Sequence, residues 1–248
     1  MAPSPSRPDP LSRAPLRIEW LGRTPYREAW ARQRELVAAR TDGRVPDTLL
    51  MVEHPAVLTL GRHASPEHVI ATPEDLARRG VEVIRVERGG EVTYHGPGQL
   101  VAYPIVRLAD RGVLLRPFVR ALEAAMVDTA AAYGVAAGAR AGSPGCWVDP
   151  EGATPRKLGA LGLRVEKGVT FHGIALNVTT ELAAFSLIDP CGMAGLDVTS
   201  IARELGWQGA AALPSTESVR VAAERFADAF VVRLEAAAAG SAPDARAA

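Results

Sequence analysis

Two side chains in this sequence suit group transfer through a covalent intermediate. Cys191 lies in DPCGMAGLDVTSI between Pro190 and Gly192, residues that disfavour regular strand or helix and so put the thiol on a loop. Cys146, in GCWVD beside Trp147, reads instead as a packed thiol inside an apolar run. A cysteine nucleophile acts as thiolate and needs a base or a positive neighbour near neutral pH; without one, Cys191 is an inert buried thiol. The candidates are Lys157, His95 and His172, with His54, His63 and His68 in loop-like stretches. Lys157 opens KLGALGLRV, a mostly apolar run with two glycines, where desolvation would lower its pKa and suit it to proton transfer; the alternative is an exposed strand-end lysine. His172, in TFHGIALNV, either lines the same cleft or is a hydrogen-bonded sheet histidine.

The densest special chemistry is RGGEVTYHGPGQLVAY, Arg88 to Tyr103. Gly89, Gly90, Gly96 and Gly98 fall between two apolar β-type runs, Val81 to Val86 and Leu100 to Val106. Glycines there allow positive φ and let a ligand lie on bare main chain, with Arg88 and His95 as polar anchors at either end. Gly96-Pro97-Gly98 lacks the third glycine of a dinucleotide fingerprint, and no GxxxxGK[ST] occurs, so nucleotide-binding Rossmann and P-loop readings fail. No CxxC pair occurs, and the histidines lack metal-ligand spacing.

The elements that would position these groups follow from periodicity. Leu16 to Leu21 reads as a strand. Thr24 as cap and Pro25 open a helix to about Arg40, with Tyr26, Ala29, Trp30, Gln33 and Val37 on one face. Thr48 to Val52 and Val57 to Leu60 have the signature of a hairpin. Thr72 caps a short helix ending near Gly80. Phe118, Leu122, Met126 and Tyr133 stripe a helix from about Arg116 that Gly134 closes. Three β-like runs follow, Gly145 to Val148, Lys157 to Val165 and Thr170 to Val178, before a closing helix, Glu217 to Ala238, capped by Ser215 or Thr216. Strands and helices mix without regular βαβ alternation, which predicts an α+β single domain, residues 16–239, with a mixed, largely antiparallel sheet flanked by helices. The proline-rich residues 1–15 and the small, polar 240–248 read as disordered tails.

Composition narrows the partners. Twenty-eight basic residues balance twenty-eight acidic ones, so neither nucleic acid nor an anionic membrane is expected, and any charged partner must meet a local patch. Two cysteines, no export signal and no long apolar span predict a reduced, cytoplasmic protein.

Taken in order, RGGEVTYHGPGQLVAYP, KLGALGLRV, GVTFHGIALNV and DPCGM followed by TS resemble the lipoyl(octanoyl) transferase family, the octanoyltransferases of lipoate biosynthesis. The resemblance runs from about Leu16 to about Gly206. It implies the α+β catalytic domain shared with biotin and lipoate protein ligases. It also implies the first step of endogenous protein lipoylation: an octanoyl group moves from octanoyl-acyl carrier protein, through a thioester on Cys191, to a lysine of lipoyl-domain proteins. These acceptors include the glycine cleavage H protein and the E2 subunits of 2-oxoacid dehydrogenases. Lys157 matches the family lysine that lowers the thiol pKa and serves as acid and base. Arg88, Gly89, Gly90, Glu91, Val92, Thr93, Tyr94 and His95 match the substrate-binding segment, so His95 is then a positioning residue. Ala160, Leu161 and Gly162, with Gly173, Ile174 and Ala175, match the two segments that enclose the acyl chain. No cofactor and no metal is implied. An acidic carrier suggests arginines around the cleft, Arg62, Arg88 and Arg164 among them. The rival readings are an ATP-dependent ligase of the same fold and a silent acyl-binding relative.

Overall fold

The computed structural model describes residues 14–189, 197–207 and 216–241. Its spine is a seven-stranded sheet of β1 (Arg17–Arg23), β2 (Thr48–Glu53), β6 (Gln99–Ile105), β10 (Val169–Asn177), β9 (Arg156–Glu166), β8 (Ser143–Val148) and β7 (Gly138–Arg140), in that spatial order. Within this sheet only β1 and β2 pair in parallel. A second sheet orders β4 (Glu82–Arg85), β3 (Val57–Leu60) and β5 (Val92–His95). The predicted fold class holds, with two sheets where one was expected.

Period-two alternation divides the large sheet between two cores. Leu49 and Met51 of β2, with Ile174 and Leu176 of β10, join Phe118, Leu122 and Met126 of α3 (Leu115–Ala131) and Phe226 and Phe230 of α5 (Thr216–Ser241). Leu50, Val52, Phe171 and Ala175 point to the opposite face and meet Ala29, Leu36 and Val37 of α1 (Tyr26–Thr41). Because both faces are covered, every residue of β2, β6 and β10 is buried and these strands read as continuous apolar runs. A third cluster packs the small sheet against α2 (Pro73–Arg78) and the 3₁₀ turn Leu182–Leu187. The short helix α4 (Ile201–Glu204) is capped by the Ser200 hydroxyl, which accepts Arg203 N–H.

Four expectations are corrected. β2 and β3 form no hairpin: β2 lies between β1 and β6, while β3 lies between β4 and β5. The end of β2 is tied down elsewhere, the buried Glu53 carboxylate accepting Gly98 N–H at 2.7 Å and Arg23 at 3.1 Å. Thr24 does not cap α1; Pro25 occupies that position and the Thr24 hydroxyl donates to the Leu21 carbonyl. The stretch from Arg88 to Tyr103 contains a strand of its own, β5, and β7 carries too little apolar character to have been foreseen. The closing helix runs through Ser241, past the expected boundary. Ser215 and most of both tails lie outside the described residues.

Candidate active site

β9 and β10 pair antiparallel in a register that sets Ala160 opposite Ala175 and Gly162 opposite Gly173. In β6, Val101 lies beside Ala175. These small residues form the floor of a cleft beneath the small sheet. It encloses roughly 830 Å³ of empty space, part of it open to solvent. Of the predicted segment Arg88 to His95, all but Gly89 and Tyr94 line it, as do Ala160 to Gly162 and Gly173 to Ala175. Tyr94 turns away into the small-sheet core, edge-on to Phe185, and Gly89 spends its N–H on the Leu163 carbonyl.

The glycines work differently from the expectation that they simply expose backbone. A Cβ on Gly162 would stand 2.8 Å from the Gly89 carbonyl oxygen, so this glycine lets the 88–90 loop close onto β9. Gly90 and Gly98 have φ of 85° and 83°, the left-handed region where a side chain is strained. The open space of the floor comes mainly from the two alanines.

Lys157 stands at the mouth with Val198 and Phe185. Its Nζ lies 5.0 Å from the Trp147 ring centroid, and its backbone is clamped by the Asp197 carbonyl and the Thr199 N–H. Arg88 enters from the side; its guanidinium donates to the Thr59 carbonyl and hydroxyl at 2.7 and 2.9 Å and to the Gly89 carbonyl at 3.0 Å. Arg62 is exposed and Arg164 does not line the cleft, so of the three suggested arginines only Arg88 is part of it.

The closed end is polar and neutral. His95 Nδ1–H donates to Gln99 Oε1 at 2.7 Å, a tautomer fixed because the Gln99 amide nitrogen donates to the Tyr94 carbonyl and to Asn177 Oδ1. Asn177 passes the chain on to the Thr199 carbonyl, beside Lys157. Burial lowers His95 to about 3 and His54 to about 4. His54 donates from Nδ1 to the Thr24 carbonyl and accepts the Tyr103 hydroxyl at Nε2, both at 2.7 Å. Tyr26 stacks on His95 at 5.9 Å, and its hydroxyl is 3.5 Å from His172 Nδ1.

His172 lines this end too, at φ 54° and stacked on Phe171. Burial lowers its pKa, although Glu87 lies 3.8 Å away; Glu87 itself is held down at about 2, chiefly by His172. None of these histidines is placed to exchange a proton at neutral pH. His63 is exposed, and His68 is at the rim, 3.3 Å from Glu91.

Tyr26, Tyr103, Gln99 and Asn177 were missed from sequence. Each looks like one more residue of a core face; the pairing of β6 with β10 sets Gln99 opposite Asn177, and α1 packed on those strands adds Tyr26. Cys146 is fully buried in the α3 core and burial pushes its thiol up to about 12, which fits the packed-thiol expectation and makes it no nucleophile. Cys191 lies outside the described residues. Before it, Asp189 N–H donates to the His68 carbonyl; after it, Asp197 binds Lys157.

A family model described as the lipoyl protein ligase A/B catalytic domain matches residues 25–231. An octanoyltransferase of Chloroflexus aurantiacus is 46% identical over 213 residues, covering 86% of this chain and 94% of that one. One from Acidobacterium capsulatum is 45% identical over 223 residues, covering 87% and 90%. Among solved structures, lipoate-protein ligase A bound with ATP superposes with a TM-score of 0.63 at 16% identity, covering 92% of this chain and 94% of that one. A bipartite lipoate protein ligase from Thermoplasma acidophilum, solved with its E2 lipoyl domain, reaches 0.61 at 16%, covering 91% of each. At such identities these two likenesses concern the fold alone.

Proposed function

We propose a reaction for a chain that belongs to the lipoyl protein ligase A/B catalytic-domain family. It is an octanoyltransferase, an acyltransferase that serves the lipoylation of lipoyl domains. The observation that carries this is a cleft with an apolar floor of alanine and glycine, lined by Lys157 at one end and by neutral polar groups at the other. Burying a methylene contributes about 0.8 kcal/mol, so an eight-carbon chain laid on this floor gains on the order of 5 kcal/mol, enough to orient a ligand with one carbonyl.

The chemistry then follows in two steps. The Cys191 thiolate attacks the thioester carbonyl of octanoyl-acyl carrier protein, a new carbon–sulfur bond forms, and the carrier's thiolate leaves and is protonated. The amine of the acceptor lysine next attacks the enzyme thioester, an amide forms, the Cys191 thiolate is released, and neutral Lys157 takes the proton that the amine loses. Thioester exchanges for thioester in the first step, so no ATP is consumed. Support for the pairing is local: Asp189 and Asp197 flank Cys191 in the sequence, and the Asp197 carbonyl accepts the Lys157 N–H. Lipoyl domains such as the H protein and E2 subunits are the acceptors, and we place the enzyme in the cytoplasm. Among the described residues no helix is long and apolar enough to cross a membrane.

Intact mass spectrometry after incubation with octanoyl-acyl carrier protein should show one added octanoyl group, lost on addition of a lipoyl domain. Cys191→Ala should abolish it. Turnover that requires ATP and magnesium would instead favour the ligase reading, and no acyl-enzyme under any condition the silent acyl-binding one.

A further inference from the structure

Lys157 faces the cleft because β9 breaks its own alternation. Counting back from Ala160, which meets the cleft, a regular strand would turn Leu158 to the cleft and Lys157 to the α3 core. The register against β8 slips between Cys146 and Trp147, which makes Leu158 an extra residue of β9. Leu158 packs into the α3 core and Lys157 turns to the cleft. A bulge interrupts the ladder, so the main chain of Lys157 needs another anchor. Its N–H donates to the Asp197 carbonyl at 2.8 Å and its carbonyl accepts Thr199 N–H at 2.9 Å, in a parallel bridge of Lys157 with Val198.

Residues 197–199 are in turn held from two sides. Outside the cleft, the Thr199 hydroxyl donates to Glu204 Oε1 at 2.5 Å, and the Glu204 carboxylate accepts two hydrogen bonds of 2.9 Å from Arg156. From the cleft, Asn177 Nδ2–H donates to the Thr199 carbonyl at 2.9 Å. Asn177 is 4% exposed, lines the cleft and sits opposite Gln99, whose Nε2–H it accepts at 2.9 Å. Its amide has one orientation, since the Thr199 carbonyl can only accept and the Gln99 nitrogen can only donate.

We propose that Asn177 is a positioning residue for acyl transfer: it ties residues 197–199 to β10 and thereby fixes where Lys157 stands in the cleft. The proposal rests on the acyl-transfer reading of the cleft. Asn177 acts through Lys157, and its amide exchanges no proton with the substrate.

Asn177→Leu removes both hydrogen bonds at similar volume, and Thr199→Val loosens the same segment from the other side should the first variant fold poorly. Each should lower kcat for octanoyl transfer to a lipoyl domain by about 10- to 100-fold, the cost of a misplaced catalytic group. Affinity for an octanoyl-pantetheine amide analogue, which binds but cannot transfer, should stay within about threefold by calorimetry. A parallel loss of affinity would place Asn177 in substrate binding and overturn the proposal. In a Lys157→Arg background the same substitutions should cost little more; a loss as large as in the wild type would mean that they act through the fold at large, and the proposal falls. A second readout needs no turnover. Lys157 and Lys167 are the only lysines of the chain, and Lys167 is exposed between β9 and β10. Trace acetylation at about pH 10, close to the ordinary lysine pKa, should label Lys157 about tenfold more, relative to Lys167, in each variant than in the wild type. An unchanged ratio overturns the positioning role. If the wild type forms no acyl-enzyme, the transfer reading falls, and the labelling ratio alone decides whether Asn177 holds the lysine.

Discussion

At the scale of single residues, Lys157 carries the heaviest demand, because it must exchange a proton as well as hold a charge. Arginine keeps the charge and can retain the contact with the Trp147 ring, but it does not give up its proton near neutrality. Lys157→Arg should therefore lower kcat for octanoyl transfer by about 10²- to 10⁴-fold, the usual range for a lost acid–base group, while the melting temperature changes little. A wild-type rate would refute the role. The floor allows a second test. Gly90→Val looks from sequence like a clean way to block the pocket, but φ at Gly90 is 85°, so a β-branched residue there would strain the loop itself. Ala160→Leu is the sounder probe. Its side chain projects from a regular strand into the cleft and should cut acyl-enzyme formation by at least about tenfold with the fold intact. The floor was legible in sequence only through the resemblance of KLGALGLRV and GVTFHGIALNV to the family's acyl-enclosing segments. The polar wall was not, since Tyr26, His54 and Tyr103 are far apart in the chain.

At the scale of elements, sequence pattern located nearly every strand and helix but not their partners. Thr48 to Val52 and Val57 to Leu60 looked like a hairpin because both are apolar throughout and separated by four residues. That same continuous burial is the mark of strands enclosed on both sides, each with two other neighbours. Pairing was decided by contacts from far along the chain, with β6 and β5 arriving some forty residues later. α5, by contrast, was plain from its length and helical composition, and it braces the sheet on the face away from the cleft. Phe230 is fully buried there, 5.9 Å from both Phe118 and Phe226. Phe230→Ala should lower unfolding free energy by about 3–5 kcal/mol, measured by urea denaturation, while kcat of the folded fraction stays at the wild-type value. A variant that lost activity without losing stability would show that α5 reaches the site.

At the scale of the whole molecule, the cluster behind the cleft makes the fold sensitive to mild acid. His54, His95 and His172 are buried neutral, with pKa values driven below the ordinary 6.5, to about 4 for His54 and about 3 for His95. As the pH falls below 6.5, the unfolded chain binds these protons and the folded chain does not, so stability is lost, each histidine contributing up to about 1.4 kcal/mol per pH unit. The loss continues until the folded histidines titrate. Glu87 acts later: its carboxylate is held at about 2, so its contribution, present above the ordinary 4.5, fades only as the pH drops from there. The interval from pH 6.5 to 5 therefore isolates the histidines from the carboxylates. Urea midpoints across that interval should fall steadily. In His54→Gln the slope should ease by about 1 kcal/mol per pH unit, whatever the variant's stability at neutral pH. A flat profile in the wild type would mean that these rings are charged or hydrated in the fold, and a cleft ending in charged imidazolium could not receive an alkyl chain. Acid stability and acyl binding thus depend on the same neutral wall, and the pH profile reads its charge state in the intact protein without a ligand.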